Sequence, residues 1–339
     1  MARLSASGLN SQAKCELAFH LSKSEEGKNL RTKIGIKFAM VFGTIIHHVC
    51  QQYDVDRFTN KMTIKKTQQE MNRRYEAAWL HFFTDETSVK KEKITLEQQE
   101  LATKILLPKL AEWLWEDDIK KRAELSYLIK SQQDSMIFQF TSRKSLSWYY
   151  EEGYRIFSKY VSDDPLDVYG DPIEFSVEKM YSIKYGDDDI IGYVDERRVY
   201  SVNGKRKIFL IEMKTSSTEY TPEDCQVDSQ MGLYAFYEST DSNIPLEDIF
   251  LVMYQLPTGV CTVTQRTEEN LDYLLRHVDE RLRRQNEIAN GSGMPLPSCG
   301  TNSFEHSRLM CDYKEVCPIW KMMESQIKPV VLGKKGKLK

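Results

Sequence analysis

Asp195, Glu212 and Lys214 are the residues of this 339-residue chain best placed by type and spacing to do chemistry. They end two apolar segments, Ile190-Ile191-Gly192-Tyr193-Val194-Asp195 and Lys207-Ile208-Phe209-Leu210-Ile211-Glu212-Met213-Lys214. Between them stands Asn203-Gly204, the dipeptide that most strongly signals a two-residue hairpin. Side chains alternate along a strand, so Glu212 and Lys214 share one face and Met213 takes the other. Hairpin pairing brings Asp195 toward the same point. Two hard carboxylates suit Mg2+ or Mn2+, and an ammonium suits an attacking water or a phosphate oxygen; together they suit phosphodiester hydrolysis. The commoner use of such residues is a cross-strand salt bridge on a solvated face. Against that use, Phe209-Leu210-Ile211 is a continuous apolar run. A strand of that kind is buried on both faces, where charged groups need a reason.

The elements that must position these residues follow from periodicity. Residues 1–53 read as a loop and two helices, the second strongly apolar from Phe38 to Val49. Residues 55–160 show helical spacing at Leu101, Ile105, Leu106, Leu110, Trp113 and Leu114, and are expected to form four or five helices. Their aromatics, Trp79, Phe82, Phe83, Trp113, Trp115, Trp148, Tyr149 and Tyr150, have the spacing of core residues. Two strands follow within 173–202, a third over 207–214, a helix over 223–238, strands over 249–255 and 260–265, and a long charged helix over 268–289. Asn290-Gly291-Ser292-Gly293-Met294-Pro295 ends that helix. The expected division is 1–54 N-terminal helices, 55–165 helical insertion, 166–294 core sheet and helices, 295–325 cysteine segment, and 326–339 basic tail.

Composition sets the outer limits. The chain is 41% hydrophobic and 29% charged, with net charge −3. No apolar run approaches the roughly 18 residues that span a bilayer, and Met1-Ala2-Arg3-Leu4-Ser5 lacks the apolar core of a secretory signal. A cytoplasmic protein with no membrane partner is expected. There is no global basic field, so any nucleic-acid contact must rest on local groups such as Lys61–Lys66 or Arg281–Arg284. Cys50, Cys225 and Cys261 fall within regular segments and read as small packing residues.

Four short motifs occur in a telling order: Gly43-Thr44-Ile45-Ile46-His47, Gly192-Tyr193-Val194-Asp195, Glu212-Met213-Lys214 and Gln230-Met231-Gly232-Leu233-Tyr234. Each is weak alone. In this order they resemble the PD-(D/E)xK nuclease superfamily and its RecB-like branch, whose members carry G-x-x-x-H, G-x-x-D, E/D-x-K and Q-x-x-x-Y. The resemblance implies an α/β fold of restriction-endonuclease type, a mixed central sheet flanked by helices, here with a large helical insertion. It implies a metal-dependent DNA nuclease, as an exonuclease on ends or single strands. His47, Asp195, Glu212 and the Met213 carbonyl would hold Mg2+ or Mn2+, with Lys214 activating. Gln230 and Tyr234 would position the strand or Lys214. Glu178 matches an acidic position on the family's first core strand, where it would either support the metal ligands or form a salt bridge.

The same branch includes iron-sulfur members in which one N-terminal and three C-terminal cysteines hold a cluster. Cys15, Cys299, Cys311 and Cys317 stand in comparable places, and Cys311 to Pro318 resembles the end of that motif. Many members have a cysteine three positions before the penultimate one; here that position is Arg308, so Cys299 must supply the thiolate. Four thiolates suit a 4Fe-4S cluster or structural Zn2+, and spacing does not choose between them. His306 could replace one thiolate on zinc. Such a metal staple would hold together a loop-rich segment poor in apolar residues. The resemblance places the protein in a bacterial or phage-infected cell, with DNA as its partner. An alternative is a DNA-binding or assembly module of a recombination, replication, repair or CRISPR-type complex, active only with its protein partner.

Overall fold

The computed structural model describes residues 3–34, 36–140, 144–185, 188–216, 219–296, 311, 313 and 316–318. Two compact units emerge, one of Met1–Leu4 with Gly35–Leu274 and one of Ser5–Ile34 with Leu275–Lys339. In chain order the elements are β1 (Arg3–Ser5), α1 (Ala6–Lys14), α2 (Glu16–Lys23), α3 (Glu25–Ile34), β2 (Ile36–Lys37) and α4 (Phe38–Asp54). Next come α5 (Gln68–Thr84), α6 (Glu86–Glu92), α7 (Leu96–Glu100), α8 (Leu107–Leu114), α9 (Ile119–Gln133), β3 (Phe138–Gln139) and α10 (Leu146–Ser162). The remainder is β4 (Glu174–Tyr185), β5 (Asp188–Val202), β6 (Lys205–Lys214), α11 (Pro222–Val227), α12 (Ser229–Asp241), β7 (Ile249–Gln255), β8 (Val260–Thr264) and α13 (Glu268–Ala289).

The fold is α/β, with a mixed six-stranded sheet in the order β1-β5-β6-β7-β8 and β4 also on β5. β4, β5 and β6 run antiparallel in succession, β6 and β7 are parallel, and β7 and β8 are antiparallel. The β5–β6 turn closes between Val202 and Lys205, with Asn203 at φ +53° and Gly204 at φ +75°. That is the conformation an Asn-Gly hairpin turn demands. Within β6, Ile208 to Met213 are all buried, because the sheet is covered on both faces here.

The helical region packs on α4. Phe38, Val41, Phe42, Ile45, Ile46 and Val49 recur at helical spacing and join Tyr75, Trp79, Tyr150 and Phe157 in one core. The aromatics Trp79, Phe82, Phe83, Trp113, Tyr149 and Tyr150 are buried as their spacing requires, whereas Trp115 is exposed. α7 continues through a π-helical segment, Leu101–Leu106, into α8. Pro108 lies just beyond and cannot donate to an α-helical carbonyl, which the widened turn accommodates. Several features depart from the sequence expectation. Among the described residues the N-terminal region holds four helices where two were expected, and the region after α4 holds six α-helices, α5 to α10, where four or five were expected. The helix expected over 223–238 breaks at Asp228, whose side chain caps α12 by accepting from the Met231 N–H. No helix among the described residues is long and apolar enough to cross a membrane.

In the second unit, α1 and α2 are tied to the C-terminal part of α13 by polar contacts. Arg284 binds Glu16 at 3.0 Å, and Gln285 donates to Gln12 at 2.8 Å. Cys15 caps α2, its Sγ accepting from the Ala18 N–H at 3.4 Å. Cys317 is buried and its N–H donates to the Tyr313 carbonyl.

Candidate active site

The site lies where two paired strands part. The β5–β6 ladder runs from Val202↔Lys205 to Glu196↔Ile211 and stops there, while β6 stays paired with β7 as far as Lys214. Past that point the Met213 N–H donates to Asp195 Oδ2 at 2.7 Å. The carboxylate thus takes a donor that a continued sheet would have used. Glu212 and Lys214 sit on the strand bordering this notch, with Met213 turned into the core at 1% exposure.

α4 brings in His47, whose Nδ1 lies 3.5 Å from Asp195 Oδ1. Gly43, one turn earlier, permits the approach: a Cβ there would stand 3.0 Å from Thr215 Oγ1, just past Lys214. Glu212 is 7% exposed, accepts from Lys214 Nζ at 2.6 Å and from Gln230 Nε2 at 3.2 Å. Tyr234, on the next turn of α12, donates instead to the Tyr193 carbonyl at 2.7 Å, fixing β5 two residues before Asp195. Gln230 and Tyr234 therefore touch different strands of the same notch.

The electrostatics follow from crowding charge in a buried place. Burial, then repulsion from Asp195, pushes Glu212 up to about 7, although Lys214 pulls the other way. Burial works against a charged His47, but Asp195 and then Glu212 outweigh it, so its pKa is raised. Lys214 is likewise raised, because its contact with Glu212 outweighs the cost of burial. A divalent cation matches this donor set: hard oxygens and an imidazole, with two like charges whose repulsion a cation relieves. Among the described residues, however, no three His, Cys, Asp or Glu side chains are gathered as a metal-ligand group. His47 and Asp195 approach each other, while Glu212 is turned to Lys214 and Gln230.

Glu178 has a place that alternation alone does not reveal. The β4–β5 register pairs Val177 with Glu196 and Lys179 with Val194, which leaves Glu178 directly across from Asp195. Its φ is +48°, a left-handed conformation costly for a side chain of this size. Gln51, one turn beyond His47 on α4, donates to Glu178 Oε1 at 2.9 Å and to the Asp195 carbonyl at 3.2 Å. Gln51 was not singled out by any motif; its position four residues after His47 was the only available signal.

Behind the notch lies a second group that no motif announced. Arg198 Nη2 binds Asp54 at 2.8 Å and Glu196 at 2.8 Å, and Nη1 binds Asp164 at 2.6 Å; Asp54 and Glu196 are wholly buried and Arg198 is 2% exposed. Tyr160 donates to Asp54 and to Glu196. Asp54 ends the helix bearing His47, and Glu196 follows Asp195, so this network joins the two elements that meet at the site. Burial first, against the pull of Arg198, holds both Asp54 and Glu196 above the usual carboxylate range.

Of the expected cluster cysteines, Cys15, Cys311 and Cys317 belong to the second unit and form no metal-ligand group among the described residues. Cys299, like His306 and Arg308, lies outside the described residues. Cys50 and Cys225 are buried and Cys261 is half-buried, as packing residues.

A family model described as the PD-(D/E)XK nuclease superfamily matches residues 3–318. No curated protein sequence matches the chain. Among solved structures, a protein from Eubacterium rectale with a provisional exonuclease name is similar at 12% identity and a TM-score of 0.32, over 72% of this chain and 93% of that one. The crystal structure of SSO0001 is similar at 14% identity and a TM-score of 0.30, over 66% of this chain and 97% of that one.

Proposed function

We propose, starting from the fact that this chain belongs to the PD-(D/E)XK nuclease superfamily, that it is a DNA exonuclease dependent on Mg2+ or Mn2+ and acts on ends or single strands. The observation that carries this reading is the parting of β5 from β6 beside Asp195, which approaches His47, while Glu212 and Lys214 pair on the bordering strand. His47, Asp195, Glu212 and the Met213 carbonyl would hold the cation. Such an ion, when bound, supplies Lewis acidity toward a phosphate oxygen and a more acidic water.

The chain's own residues do the rest. Lys214 presents an ammonium where an attacking water or the charge on phosphorus has to be met, and Glu212 keeps it there. Gln230 steadies the Glu212 carboxylate, leaving its other oxygen to Lys214. Tyr234 holds β5 in place by its bond to the Tyr193 carbonyl. Glu178 and Gln51 support Asp195 from the neighbouring strand and from α4. The product of such hydrolysis is a free phosphate end and a free hydroxyl, with water divided between them. Cys15, Cys299, Cys311 and Cys317 are assigned to a 4Fe-4S cluster, or to Zn2+, that pins the segments carrying them.

The test is cleavage by the purified full chain with Mg2+ or Mn2+, on end-labelled linear and circular single- and double-stranded DNA. Loss of linear substrate from its ends, abolished in Lys214→Ala, is expected. Intact DNA of every form in the presence of either ion would overturn the reading. Cutting of circles would overturn the exonuclease part alone.

A further inference from the structure

The face of β4 and β5 that carries Asp195 continues past it with two exposed apolar side chains. Tyr193, two residues before Asp195, shares its side of the strand and is 51% exposed. Met180 is its register partner on β4 and is 53% exposed. Single exposed apolar residues are ordinary; here two stand in register across neighbouring strands, next to the charged residues of the site. Strand rise puts Tyr193 about 7 Å from Asp195, about the reach of one extended nucleotide.

The backbone beneath the ring is fixed. Tyr234, 1% exposed, donates to the Tyr193 carbonyl at 2.7 Å and stacks on Tyr181 at 5.0 Å between centroids. Tyr181 in turn donates to Glu238 at 2.7 Å. A ring that is exposed on a fixed backbone loses little freedom when a flat partner covers it, which favours binding. The charged groups at the notch address the phosphate, so the uncharged surface next to them faces the sugar and base.

We propose that Tyr193, supported by Met180, is the platform on which a base adjoining the cut phosphodiester stacks. This inference rests on the nuclease reading and narrows its substrate: a base in a duplex has both faces covered by its neighbours, so only an unpaired or terminal base has a face to offer. The platform reads no hydrogen-bonding edge and is indifferent to sequence, because every base has a π-face.

The experiment measures kcat and KM on end-labelled single-stranded oligonucleotides with Mg2+ for the wild type, Tyr193→Ala and Tyr193→Phe. The alanine variant is expected to raise KM by roughly five- to 150-fold, the range of one lost base stack, and the phenylalanine variant to stay within about twofold. A series of oligonucleotides with one abasic position each adds a signature that simple misfolding would not produce. In the wild type one position near the cut is expected to raise KM similarly, and in Tyr193→Ala that same position is expected to have no further effect. A cleaving wild type with Tyr193→Ala equal to it, or with the two effects adding in full, overturns the platform and leaves the nuclease reading standing. A wild type that cleaves nothing overturns both.

Discussion

Replacing Arg198 by methionine tests the buried network that joins α4 to β5. The guanidinium meets Asp54, Asp164 and Glu196 at 2.6 to 2.8 Å, and all four side chains are 5% exposed or less. Methionine fills similar space but leaves buried carboxylates without a cation, a change that typically costs about 3–5 kcal/mol. The deficit has a sign in pH. Burial raises Asp54 and Glu196 even with Arg198 present, and without it they rise further. A folded chain whose carboxyls have raised pKa values binds more protons than the unfolded chain, so its stability falls as pH rises above the unfolded carboxylate range. Urea unfolding of wild type and Arg198→Met at pH 5 and pH 8 is therefore expected to show a larger loss at pH 8. Arg198→Lys, which keeps one charge but not the fork, is expected between the two. A loss under about 1 kcal/mol at both pH values, or a larger loss at pH 5, would refute the idea that Arg198 neutralises this cluster.

Glu238 gives the opposite dependence. Burial pushes it up, but Arg197, then Lys179 and Tyr181, outweigh that and hold it at about 2, against an ordinary 4.5. At about 1.4 kcal/mol per pH unit it contributes about 3 kcal/mol, complete above pH 4.5 and lost as pH falls through 2. Acid unfolding of Glu238→Gln is expected to lack this component. Glu178→Gly removes a left-handed backbone cost of about 1–2 kcal/mol together with a bond from Gln51 worth about 1 kcal/mol. Its unfolding midpoint is expected near that of the wild type while DNA cleavage slows, and a stability loss above about 2 kcal/mol would contradict the strain at this position. Metal analysis of the purified chain is expected to find iron with inorganic sulfide and a broad visible absorption, both lost in Cys317→Ser. Zinc in their place would support the same cysteines holding Zn2+ instead.

The sheet was legible in the sequence because its signals are local. Asn203-Gly204 fixes the β5–β6 turn, and apolar runs over 207–214 and 249–255 mark strands covered on both faces. The motif residues were legible by type and order; in the structure short contacts join His47 to Asp195 and, in a second group, Glu212 to Lys214 and Gln230. What local signals do not carry is where a ladder stops. Hairpin pairing alone would extend β5–β6 past Asp195, yet the strands part at Glu196 and Ile211 and Met213 gives its N–H to a side chain. Gln51, the left-handed Glu178 and the Asp54–Glu196–Arg198 network escaped for the same reason. Each depends on residues more than 100 positions apart in the chain finding one another. The break at Asp228 was readable in principle, since an aspartate before Ser-Gln-Met is a good helix cap, but the apolar period runs through it.

The central claim is that His47, Asp195 and Glu212 hold one divalent cation between them, and equilibrium Mn2+ binding followed by electron paramagnetic resonance tests it most directly. One tight Mn2+ per chain is expected in the wild type, weakened at least about tenfold in each of His47→Ala, Asp195→Asn and Glu212→Gln, and unchanged in His48→Ala. Mn2+ binding of equal strength in all four variants would contradict it.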